Sequence, residues 1–115
     1  MRRGDIYWVD LEPARGSEAN KVRPAVIVSN DAANRAADRN GRGVVSVLPV
    51  TSNITRVLPF QVLLAAGSSG LSADSKVQAE QVRAVSTDRL RSRIGELPGE
   101  TMKRIDDALR LHLAL

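Results

Sequence analysis

The sequence contains no cysteine and a single histidine, His112. A disulfide framework, a thiolate nucleophile and a Cys-based zinc site are therefore excluded. A catalytic pair of histidines is excluded by the same shortage, and His112 lies so close to the C-terminus that a surface or helix-end role is expected. Aromatic residues are equally scarce, Tyr7, Trp8 and Phe60 being the whole set, so there are few platforms on which bases could stack. No apolar run approaches the roughly 20 residues that span a bilayer. The opening stretch carries Asp5 and Asp10 where a signal peptide needs an apolar core. A cytoplasmic protein without membrane contact is the expectation. Gly-x-Ser-x-Gly, P-loop and Gly-x-Gly-x-x-Gly signatures are also missing. No metal and no cofactor is expected, which leaves the chemistry to arginine, carboxylate, hydroxyl and amide groups.

What the chain does have is arginine. Lys and Arg total 17 against 13 Asp and Glu, a formal net charge of +4, and only Lys21, Lys76 and Lys103 are lysines. A guanidinium presents a planar fork that matches phosphate, so the composition suits a polyanionic partner. It suits solvated surface charge equally well, and charge alone leaves both readings open. The 115 residues, 43% of them apolar, suffice for one packed domain over 1–115. A domain of this size gains by burying surface against a copy of itself.

Local patterning predicts a mainly β fold. Residues 5–11 are β-rich and partly alternating, and residues 24–29 form a near-continuous apolar run, the mark of a buried strand. The polar stretch 30–43 has room for a helical turn capped by Ser29 or Asn30. Further strands are expected at 44–50 and 60–65, with one or two more within 75–86, where Val77, Val82 and Val85 would face the core. Residues 66–74 are turn chemistry, residues 87–90 a capped helical turn, and 94–97 a short last strand. After Pro98-Gly99, Met102, Ile105, Leu109 and Leu113 recur at helical spacing and predict a terminal amphipathic helix. Five to seven short strands and one helix imply a small, strongly bent antiparallel sheet or barrel.

Two connections, 12–22 and 51–59, exceed what a tight hairpin needs, and long loops on a rigid sheet are where binding residues collect. Arg23 stands immediately before Pro24, which biases it to extended backbone. Thr51 ends the third strand, after Val47-Leu48-Pro49-Val50. If these strands are neighbours, a guanidinium and a hydroxyl converge at one rim. The plainer alternatives are an arginine that is solvated or paired with an acid such as Glu18, and a threonine that merely makes a turn.

Four segments carry a resemblance to a known family. They are Arg3-Gly4-Asp5-Ile6-Tyr7-Trp8-Val9-Asp10-Leu11; Gly16-Ser17-Glu18 followed by Arg23-Pro24-Ala25-Val26-Ile27-Val28-Ser29-Asn30-Asp31; Pro49-Val50-Thr51-Ser52; and Glu80-Gln81-Val82-Arg83-Ala84-Val85 continuing into Asp88-Arg89-Leu90. In order and spacing they resemble the MazF/PemK toxin endoribonucleases over nearly the whole chain. The resemblance implies an SH3-like barrel with helices, a homodimer, and cleavage of single-stranded RNA at short motifs without metal. It implies a cognate antitoxin that blocks the RNA channel, with DNA touched mainly through the antitoxin complex. The family's catalytic arginine falls on Arg23 and its hydroxyl partner on Thr51. RNA contacts fall on Glu18, Glu80 and Gln81; charge and loop position add Lys21, Ser52 and Arg56 as further substrate-binding residues.

The chemistry consistent with these groups is attack by the ribose 2′-OH on the adjacent phosphorus, leaving a 2′,3′-cyclic phosphate and a 5′-hydroxyl. Two other readings use the same fold. A gyrase-poisoning toxin of the CcdB kind acts through the end of its terminal helix, including a tryptophan, whereas this chain ends Leu111-His112-Leu113-Ala114-Leu115 and its one tryptophan is Trp8. A simple SH3-like RNA-binding module would hold RNA and leave it intact.

Overall fold

The continuous apolar run of the second strand has a direct structural cause. In the computed structural model, which describes residues 1–115, strand β2 (Val22–Ile27) is buried on both faces. Val26 joins Ile6, Leu48, Val50 and Val77 in one apolar cluster. Its neighbours Ala25 and Ile27 join Val9, Val45, Val47 and Val85 in a second cluster on the opposite face. Period-two side chains of one strand thus serve two cores, as a sheet covered on both sides requires. β2 begins two residues earlier than the pattern indicates and ends two earlier, so Val22 and Arg23 lie within it.

β2 lies between β1 (Asp5–Asp10) and β3 (Val44–Thr51), antiparallel to both. The outer edge of β3 is shared. Its first half pairs with β6 (Arg83–Ser86) and its last residues with β5 (Ser75–Gln78). From the Val47–Arg83 pair to the Val50–Val77 pair, three steps along β3 match six along its neighbour. The surplus is taken up by a 3₁₀ turn at Ala79–Gln81. β4 (Gln61–Leu64) pairs with β5, and β7 (Leu90–Glu96) with β1. The hydrogen-bonded order β4-β5-β3-β2-β1-β7, with β6 also on β3, is that of a bent, barrel-like sheet left open between β4 and β7. β7 is longer than the expected last strand, because its Leu-Arg-Ser-Arg start carries no apolar alternation to reveal it.

The turn-rich segment 66–74 packs against β7. A Cβ on Gly70, whose φ is +88°, would stand 2.6 Å from the Ile94 carbonyl oxygen, and a Cβ on Gly95 would overlap the Ser69 carbonyl oxygen. Only hydrogen at both positions lets the two backbones meet. Gly95→Ala is expected to lower stability by about 1–3 kcal/mol, the range for overpacking a filled site, read as a fall in the denaturant midpoint. An unchanged midpoint would show that the loop moves aside freely.

Helix α1 (Asp31–Asn40) replaces the single helical turn expected in 30–43. Asn30 caps it, accepting from the Ala33 amide at 2.8 Å, and Gly41 ends it in the left-handed conformation. Its inward face is short and partly polar, Asn34 and Ala37, so no apolar stripe announces it. Asn34 is fully buried and satisfied: Ser29 Oγ donates to its carbonyl at 2.6 Å, and its amide donates to the Ser29 carbonyl at 2.9 Å. Asp31 accepts the Arg3 amide at 2.7 Å, a bond to the charged form that holds its carboxyl below the usual range. Arg3 itself donates to Asp106 and to the Val28 carbonyl, clasping the terminal helix to the end of β2.

That helix, α2 (Gly99–Leu113), buries Thr101, Met102, Ile105 and Ala108 against the first cluster, with Leu109 partly covered. Leu113, expected in the core, is 48% exposed because the last turn runs past the sheet. His112 is exposed and lies beside Phe60, ring centroids 5.9 Å apart. Trp8 is 41% exposed, whereas Tyr7 packs against the second cluster and burial pushes its hydroxyl pKa up. No helix is long and apolar enough to cross a membrane.

Candidate functional site

The β2–β3 register runs Ile27–Val47, Val26–Leu48, Ala25–Pro49. The recorded pairing stops there; continued two more steps, the same register would set Arg23 opposite Thr51, on the side of the sheet to which Ala25 and Pro49 point. The ladder has no amide donor at Pro24, yet the strand continues through it because β1 still pairs there, Trp8 with Pro24 and Val9 with Arg23. Arg23 is half-buried; its Nε donates to the Asn20 carbonyl at 2.9 Å and a terminal nitrogen reaches the Asn20 side-chain oxygen at 3.4 Å. The Thr51 hydroxyl accepts the Asn53 amide at 3.2 Å. Each group is held by its own loop, one from either side of the strand pair.

The loop before Arg23 is itself tethered. Gln81, on the 3₁₀ turn, accepts from the Ala19 amide at 3.1 Å and donates to the Ser17 carbonyl at 2.9 Å. Both polar ends of this side chain are thus engaged in positioning the segment that carries Asn20. Lys21 adopts a left-handed backbone (φ 65°), donates its amide to the Glu12 carboxylate at 2.7 Å and leaves its own side chain exposed. Glu18 is exposed and accepts from the Arg15 amide at 3.3 Å. Glu18, Glu80, Gln81 and Arg83 line one open cleft of about 420 Å³. Glu80 accepts from the Gln61 amide at 2.7 Å through one oxygen, and its other oxygen is buried without a partner.

Beyond Thr51, the backbone turns over the outer face of β5. Ser52 lines a larger cleft of about 550 Å³, with Arg23, Trp8, Val22, Arg93 and the Gly70–Ala73 turn on its walls. Thr51 is not on that wall: its side chain faces the other way from Val50, which is. Arg56 projects its side chain into solvent and turns its carbonyl inward, where Lys76 donates to it. Sequence reasoning passed over Lys76. The available signal was a lone lysine between Ser75 and Val77, in a strand whose other residues are small, apolar or amide.

Charge around this rim is unneutralised. None of the chain's ion pairs involves Lys21, Arg23, Arg56 or Lys76. Many other arginines are occupied within the fold: Arg3 with Asp106, Arg83 with the Leu11 carbonyl, Arg89 with the carbonyls of Asp10 and Glu12, and Arg93 with Asp5. Cations outside any ion pair are spread over the chain, Arg2, Arg15, Arg35, Arg39, Arg42, Lys103 and Arg104 among them, and Lys21, Arg23, Arg56 and Lys76 are those near the start of β2 and the end of β3. No three His, Cys, Asp or Glu side chains cluster as metal ligands would.

A profile of the PemK-like, MazF-like toxins of type II toxin–antitoxin systems matches residues 2–113. This chain belongs to that family. Across its whole length it is 59% identical to the protein named endoribonuclease MazF9 of Mycobacterium tuberculosis, of which it covers 98%. It is 36% identical to endoribonuclease EndoA of Bacillus subtilis, covering 96% of that protein. Among solved structures, MazF from Deinococcus radiodurans superposes with a TM-score of 0.83 at 25% identity, over 100% of this chain and 97% of the other. A mycobacterial endoribonuclease in complex with its cognate antitoxin gives 0.80 at 29% identity, over 100% and 96%. Within this PemK/MazF-like toxin, Glu18, Glu80 and Gln81 share one cleft, whereas Arg23 lines a different cleft that Thr51 does not enter.

Proposed function

We propose that this toxin cleaves single-stranded RNA at the Arg23–Thr51 rim, by internal transesterification and without a metal ion. Family membership and relatives named endoribonucleases carry the reaction class. The β2–β3 register, which if continued past Ala25–Pro49 would set the Arg23 guanidinium opposite the Thr51 hydroxyl, is the observation that supports the site.

The chemistry follows from where charge develops. The ribose 2′-oxygen forms a bond to the adjacent phosphorus as the bond from phosphorus to the 5′-oxygen breaks. The proton leaves the 2′-OH for a base, and the departing 5′-oxygen gains one. The products are a 2′,3′-cyclic phosphate and a 5′-hydroxyl. Negative charge peaks on the non-bridging oxygens, where a fixed bidentate donor from Arg23 and a hydroxyl donor from Thr51 stabilise it most. A guanidinium is a weak acid, so its contribution is electrostatic rather than proton transfer. Glu18 becomes the base only if its carboxylate leaves the Arg15 amide and its loop folds inward.

Unpaired bases would lie along the groove, their edges available only in single strands. Lys21, Ser52, Arg56 and Glu80 would contact this strand, with Gln81 ordering the loop beside it. The same basic groove suits an acidic or amphipathic antitoxin segment, and contact with DNA would come through that complex. A homodimer is proposed on the exposed apolar side chains, which include Trp8, Val22, Leu63 and Leu111; RNA as substrate places the reaction in the cytoplasm.

Incubation of a long RNA with the purified toxin in excess EDTA is expected to give discrete fragments ending in 2′,3′-cyclic phosphate. RNA that is bound in a salt-dependent manner and stays whole would reduce the protein to a binding module. Fragments that vanish with EDTA would overturn the metal-free chemistry.

A further inference from the structure

Lys76 is a buried cation without a counter-ion. It is 9% exposed, belongs to no ion pair, and its ammonium is bonded to a single protein acceptor, the Arg56 carbonyl. An ammonium has three donors, and a lysine is seldom buried unless paired. Its cross-strand neighbours, Thr51 and Leu63, carry no charge that would call for an ammonium here.

Its position gives it a use. β5 pairs with β3 so that Lys76 is directly opposite Thr51, and directly opposed residues share a face of the sheet. On the far side of Thr51 the β2 register brings Arg23. With the β2–β3 register continued to its end, Arg23, Thr51 and Lys76 make one row across three strands, the backbones of the two cations about 10 Å apart, two interstrand spacings. Two long side chains separated in this way can meet on one phosphate between them, above the hydroxyl.

The segment that covers Lys76 is held by this same row. The Asn53 amide is bonded to Thr51 Oγ1 and the Arg56 carbonyl to Lys76. Because Lys76 is only 9% exposed, a phosphate can reach its ammonium only if the Arg56 carbonyl above it moves aside.

We propose that Lys76 is the second cation of the phosphate site. In the free toxin it is masked by residues 52–56, and it exchanges the Arg56 carbonyl for a phosphate oxygen when RNA enters. This rests on the assignment of the reaction to the Arg23–Thr51 rim, and adds to it a substrate-contacting residue and a strap that RNA displaces.

The test uses Lys76→Gln, which keeps an N–H donor for the Arg56 carbonyl and removes the charge, beside Lys76→Arg, which keeps the charge. Binding is measured on an oligoribonucleotide made uncleavable by 2′-deoxy substitution, over a range of salt. Each phosphate contact on a single strand contributes about 0.7 to the slope of log affinity against log salt. Lys76→Gln should therefore flatten the slope by about 0.7 and slow cleavage of ordinary RNA roughly tenfold, short of the loss expected for a main oxyanion donor. Lys76→Arg should retain the slope. A Lys76→Gln protein that melts like the parent and keeps both slope and rate overturns the inference while cleavage by the parent leaves the Arg23–Thr51 site standing. A parent that neither binds nor cuts RNA overturns both. In the unaltered chain, which has only three lysines, the Lys76 ammonium NMR signal should shift when the oligonucleotide is added. A signal that stays put refutes the exchange without any variant.

Discussion

Arg23→Ala is expected to cut the rate of RNA cleavage by about 10²–10³-fold, the scale of one lost oxyanion donor. The protein should remain folded. The side chain of Arg23 bonds only to Asn20, in a loop whose other tethers run through Gln81 and Glu12, so a change in stability near the ordinary surface range of about 0.5 kcal/mol is expected. The companion Arg23→Lys separates charge from geometry. Lysine keeps the positive charge and loses the planar fork, and a point charge cannot grip two phosphate oxygens from one rigid plane. It should fail nearly as badly as alanine in single-turnover cleavage while binding RNA at low salt almost normally. Near-normal cleavage by Arg23→Ala would remove the guanidinium from the mechanism.

How much of this arrangement could be read from the chain depends on which forces announce themselves locally. Apolar runs did so: Ala25, Val26 and Ile27 marked a strand buried on both faces. Met102 and Ile105 marked the inner face of α2. α1 was understated because its anchor is Asn34, a polar side chain satisfied by Ser29, and hydrophobic periodicity is blind to such an anchor. β7 was shortened for a related reason: its first residues are ordered by ladder bonds to β1 and carry almost no buried side chain.

The site was legible in part. Arg23 and Thr51 stood out by position at strand ends, but their opposition depends on register, which is a property of two strands and appears in neither alone. Lys76 was invisible for the same reason. Its significance comes from Thr51 across the ladder and from the Arg56 carbonyl above it, twenty residues away along the chain. Gln81 shows the converse: it was expected at the RNA, and its amide is occupied at both ends by residues 17 and 19. Its substitution should act first on the order of that loop, and through Asn20 on the orientation of the guanidinium.

An RNA with a single 2′-deoxy residue at the cut site is expected to resist cleavage altogether, while the same change one or two nucleotides away leaves the rate within a few-fold. In the proposed site Arg23 and Thr51 serve as donors to the developing negative charge; a guanidinium has no oxygen to attack with, and Thr51 would lose its donor role if it attacked. No cluster of ligands is present to hold a metal hydroxide. In the proposed reaction the substrate brings its own nucleophile: the 2′-OH already lies next to the phosphorus, so proximity is gained without binding a separate water molecule. Removal of one oxygen leaves the phosphate charge and the base edges intact, so the deoxy strand should still bind and compete for ordinary RNA with an inhibition constant near the Kd of the cleavable strand. Binding without cleavage locates the defect in the reaction step. Cleavage of the deoxy strand to 3′-phosphate or 3′-hydroxyl ends would require water as the nucleophile, and the proposed transesterification would fall even with Arg23 still essential.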